Sequence, residues 1–89
     1  MSIDDVDGRA VRATLALLAT RFRTKELSAH PDMLAAHRMF VDDRNYHATI
    51  GRYLSEHRDM LDLRRLEGDG SNVGWRKVGG SVVKGFAGF

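Results

Sequence analysis

Eleven of the fourteen basic side chains in this 89-residue chain are arginines, and six of those lie between Arg44 and Arg76. A guanidinium is the side chain that grips a phosphate or a guanine edge with two parallel hydrogen bonds. Residues 1–43 carry six basic against seven acidic residues, whereas residues 44–89 carry eight against five. The formal charge of +2 is therefore weak overall and positive where the arginines concentrate. An Arg-heavy surface is equally what codon usage alone produces. Around Arg52, at about 100° per helical residue, stand Asn45, Ala48, Thr49, Ser55 and Glu56. Small polar groups about one guanidinium are what a base-reading helix face needs. They are also what a plain solvated helix face looks like.

Other chemistry finds little material. Cysteine is absent, which removes disulfides, thiolate metal sites and a cysteine nucleophile. His30, His37, His47 and His57 never share the i, i+4 spacing that sets two imidazoles on one helical face, so no metal site is expected. No Walker loop, GxGxxG or Ser-His-Asp order occurs, and Asp4-Asp5 and Asp42-Asp43 read as helix-start electrostatics. Neither an enzyme nor a cofactor is expected. The acidic opening MSIDDVDGRA lacks signal-peptide order, and the longest apolar run, Leu15 to Ala19, is too short to span a bilayer, so a cytoplasmic protein without membrane contact is expected.

The elements that must position these arginines are few, because 89 residues make one small domain. Residues 1–6 read as a frayed arm, with Asp7 as the cap of a first helix over Arg9–Arg21 whose stripe is Val11, Leu15, Leu18 and Phe22. Phe22-Arg23 is too short for an independent strand, though it could pair briefly with a later hairpin. Thr24 caps a second helical segment, which breaks at Pro31 and restarts with that proline in its first turn. A third helix, about Arg44 to Arg58, turns Ile50, Leu54 and His57 inward, flanked by Tyr46 and Tyr53, and Gly51 admits a close neighbour. Two strands follow, Leu61–Leu66 and Val73–Val78, joined by the turn-rich Gly68–Asn72. Trp75 is expected to seal this hairpin onto the helices, the alternative being an exposed anchor for another protein.

Helix, helix, helix and a two-stranded wing resemble the winged helix-turn-helix superfamily over about residues 9–78. The resemblance rests on Thr24–Leu27, on Ala48–Leu54 and on the Leu61–Val78 hairpin. The span from Leu27 to Asn45 is longer than a compact helix-turn-helix needs. What the resemblance implies is an α+β, mainly α domain of three helices and a C-terminal two-stranded wing, with residues 1–8 as an arm and 79–89 as a Gly-rich apolar tail. It also implies binding of double-stranded DNA, as a regulator of transcription, with dimerisation to read a longer site. Asn45, Thr49 and Arg52 would then read bases, while Arg44, Arg64, Arg65, Arg76 and Lys77 would meet phosphates. Winged-helix domains also dock on proteins, so a small phage-type inhibitor or adaptor, or an antitoxin-like repressor, is the alternative.

Overall fold

A computed structural model describes residues 1–68 and 72–78; most of the expected turn tip and the 79–89 tail lie outside the described residues. A single 3-10 turn, Ile3–Asp5, precedes α1, Gly8–Leu17. Asp7 starts α1 as its sequence position suggests, accepting from the amides of Arg9 at 3.0 Å and Ala10 at 3.3 Å. Val11, Thr14 and Leu15 are its buried side. The helix ends four residues short of the expected Arg21, because Leu18 turns extended and Arg21–Arg23 become a strand, β1, with Phe22 alone buried. Spacings of four and of two both bury Phe22, and the sheet takes it.

Next come α2, Thr24–Ser28, and α3, Pro31–Ala36. The expected second helical segment is thus two separate helices, and the described residues hold four α-helices where three were expected. Arg23 is the cap residue of α2, its amide donating to the Glu26 carboxylate at 2.6 Å, so Thr24 is the first helical residue rather than the cap. The break before α3 follows from Pro31, whose missing N–H costs nothing at a helix start, and the His30 Nδ1 accepts from the Asp32 amide at 3.1 Å. His37 closes α3 and is buried. Its Nε2 accepts from the Asp7 amide at 2.9 Å while Nδ1 lies 2.9 Å from the Met33 carbonyl, which makes Nδ1 the protonated nitrogen. The start of α1 is thereby tied to α3.

After a 3-10 turn at Arg38–Phe40, the long helix α4 runs Tyr46–Glu56 and buries Tyr46, Thr49, Ile50, Tyr53 and Leu54. The Tyr46 hydroxyl donates to the Ser28 carbonyl at 2.8 Å, and burial pushes its pKa up to about 12. His57 is half-buried and stacks on Tyr53 at 4.2 Å. Gly51 brings α2 close, since a Cβ there would stand 3.4 Å from the Thr24 methyl.

Strands β2, Leu63–Arg65, and β3, Gly74–Lys77, join β1 in an antiparallel sheet ordered β1-β3-β2. The hairpin therefore gains a third strand. Phe22, Leu63 and Trp75 face the helices, with Phe22 opposite Trp75. Trp75 is 1% exposed, and its indole N–H donates to the Thr24 hydroxyl at 2.7 Å, which donates in turn to the Val73 carbonyl at 3.2 Å. It seals sheet to helix and is not a surface anchor. Residues 1–6 are not a loose arm either: Met1, Ile3 and Val6 pack on the core, the Met1 ammonium pairs with Asp43, and the Met1 carbonyl accepts from Thr49.

Candidate functional site

The eight residues expected to contact a ligand divide between two surfaces and the interior. Arg44 and Asn45 are exposed at the entrance to α4. The Asn45 amide donates to the Asp43 side chain at 2.8 Å, and its own exposed side chain makes no capping bond. Asp43 is held below the ordinary carboxylate value by the hydrogen bond from the Met1 ammonium and then by this amide.

Arg52 is exposed at mid-helix beside a groove of about 270 Å³. Ala48, Gly51 and Ser55 form the α4 wall of the groove, and Arg65 of β2 stands across it. The Arg65 guanidinium also donates to the Gly68 carbonyl at 3.4 Å, which steers it toward the hairpin end. Two guanidinium groups thus flank a shallow groove with small side chains on its α4 wall and Thr24, Val73 and Trp75 completing its lining.

Thr49 leaves this surface. It is 1% exposed, and its hydroxyl donates to the Met1 carbonyl at 3.3 Å, so the N-terminal segment covers the position assigned to base reading. Lys77 is likewise engaged. It shares the inward parity of Trp75, and its ammonium donates to the Leu18 carbonyl at the end of α1, where a cation suits the helix dipole.

Arg64 and Arg76 stand on the opposite face of the sheet from Arg65, because adjacent residues in a strand point to opposite faces. They are directly paired, and Arg76 is paired on its other side with Arg21. The sequence pattern alone does not mark Arg21 as a contact. The alternation Arg-Phe-Arg at residues 21–23, read as a strand about a buried Phe22, was the available signal.

Among the described residues the ion pairs are Met1 with Asp43 and His30 with Asp32; no Arg or Lys side chain there has a carboxylate within 4.0 Å. No three His, Cys, Asp or Glu side chains there come together in a group able to hold a metal. His47 is occupied by the Ser28 hydroxyl at 2.6 Å. No helix among these residues is long and apolar enough to cross a membrane. No family model, curated protein or solved structure matches the chain.

Proposed function

We propose that this protein is a winged-helix module that binds duplex DNA through α4, with transcriptional regulation as its role. Asn45 and Arg52 face the base edges in this reading, and Arg44 and Arg65 meet the flanking phosphates. What carries the reading is the groove between α4 and β2, where Arg52 and Arg65 have no carboxylate partner among the described residues and Ala48, Gly51 and Ser55 leave the α4 wall open to close approach. A helix leading into a hairpin, with a shorter helix packed on it through Gly51, supports the winged-helix assignment. The low net charge points to modest affinity for one module, which dimerisation on DNA would raise. Titration of labelled random-sequence duplex at two salt concentrations tests the reading. Affinity that falls steeply with salt supports it, and no binding at low salt refutes it.

Protein docking is favoured by a different surface. Met39 is 91% exposed with Val41 beside it, an apolar pair lying away from the arginine groove. In that reading Met39→Asp abolishes association with a partner or a second copy and leaves DNA titrations unchanged.

A further inference from the structure

The outer face of the sheet carries a row of arginines across all three strands. Arg76 stands at the centre, directly opposite Arg21 of β1 on one side and Arg64 of β2 on the other. All three are exposed. At about 4.8 Å between neighbouring strands the row spans about 10 Å. Like charges placed directly opposite destabilise a sheet, so this arrangement opposes folding unless an anion relieves it.

Among the described residues no carboxylate within 4.0 Å of these guanidinium groups supplies such relief. A cavity of about 700 Å³ opens beside the Arg21 end of the row, its lining including Arg21, Arg23, Arg65, Glu26, Glu67 and Gly74. The Glu26 carboxylate is committed to the Arg23 backbone amide, and neither glutamate lies within 4.0 Å of a guanidinium. Gly74 sits opposite Arg23, and Leu66 closes over it, since a Cβ there would stand 3.3 Å from the Leu66 Cβ.

The geometry points to a second contact for nucleic acid, in which this row grips a phosphate backbone without regard to sequence. Planar guanidinium forks match phosphate oxygens, and a linear array of them fits a linear polyanion better than a single anionic group. The contact rests on the nucleic-acid reading above but uses a different face and different residues. One molecule then presents α4 to bases and its outer sheet to a neighbouring backbone segment.

The test is a salt-series titration of labelled random-sequence duplex with the full chain in three forms: parent, R21A/R64A/R76A, and R52A/R65A. Each lost phosphate contact removes about 0.9 from the slope of log affinity against log salt, so the sheet variant is expected to lose about 2.7. Its affinity falls alike for every duplex sequence. Arg76→Thr alone, which keeps a good strand former, should lose about 0.9 and serves if the triple variant does not fold. A sheet variant with the parent's slope and affinity overturns this second contact while leaving the α4 reading intact. Loss in the sheet variant with an unchanged R52A/R65A supports the row and overturns the α4 reading. Absence of duplex binding by the parent at low salt, or binding to phosphatidylserine vesicles in its place, overturns both.

Discussion

Replacing Thr24 with valine removes one hydroxyl and keeps the shape of the side chain, yet it strips the buried indole of Trp75 of its partner. The indole N–H donates to that hydroxyl at 2.7 Å, and both side chains are buried. The hydroxyl also donates to the Val73 carbonyl, which keeps the Thr24 amide at 2.9 Å and so is not orphaned. Leaving a buried donor unpaired costs about 1–3 kcal/mol, and the lost bond to Val73 adds about 0.5–1 kcal/mol. A net loss of about 2–3 kcal/mol lowers the melting temperature of so small a domain by roughly 10–20 °C. Thermal unfolding followed by the emission of Trp75, the one tryptophan of the chain, reports it. Thr24→Ser keeps the hydroxyl and should lose much less, its only change being the methyl beside Gly51. The decisive form is the cycle with Trp75→Phe. The valine substitution should cost clearly less in the phenylalanine background, where no indole N–H remains to be orphaned. Equal cost in both backgrounds would refute the assignment of this bond as the joint between sheet and α2.

Arg76→Thr should raise stability by about 0.5 kcal/mol at low ionic strength, with the gain shrinking as salt screens the arginine row; lower stability in a low-salt melt would contradict the repulsion. Thr14 is buried, and its hydroxyl has no hydrogen-bond partner among the described residues, so Thr14→Val should stabilise by about 1 kcal/mol in denaturant titration, and a loss of that size would point to a hidden partner. The N-terminal segment should loosen in acid. Asp43 is held below its ordinary value of 3.8 by the Met1 ammonium and the Asn45 amide, and Asp5 by the amide and then the hydroxyl of Ser2. Carboxyls depressed in the folded state stabilise docking above their ordinary value and lose that contribution as pH falls through the folded one. Amide exchange at Ser2–Val6 should accelerate below pH 3.8, whereas a rate that follows only the intrinsic pH dependence would contradict the docking.

Much of the fold was legible because single residues with one physical role marked it. Asp7 could only serve as a cap, Pro31 could only begin a helix, and the Ile50-Leu54 stripe could only face inward. The strand at Arg21–Arg23 was legible only in part: a brief pairing of Phe22-Arg23 with the hairpin was foreseen, but the stripe of Val11, Leu15, Leu18 and Phe22 carried α1 over the same residues. The N-terminal segment looked loose because Met1, Ile3 and Val6 form no stripe of regular period, although they dock. Thr49 lies at the border of the α4 stripe, and only the fold shows that the Met1 carbonyl covers it. The division of the arginines was legible in principle, since strand parity alone separates Arg64 from Arg65 and turns Lys77 inward with Trp75. Grouping all of them on a wing obscured it.

Backbone amide shifts of the isotope-labelled full chain, followed by NMR during addition of random-sequence duplex, test the central claim most directly. DNA binding through α4 predicts that the largest changes fall at Arg44–Glu56 and at Arg65, with a separate set at Arg21, Arg64 and Arg76 from the outer sheet. Changes confined to Met39–Val41, or no change at low salt, would contradict it.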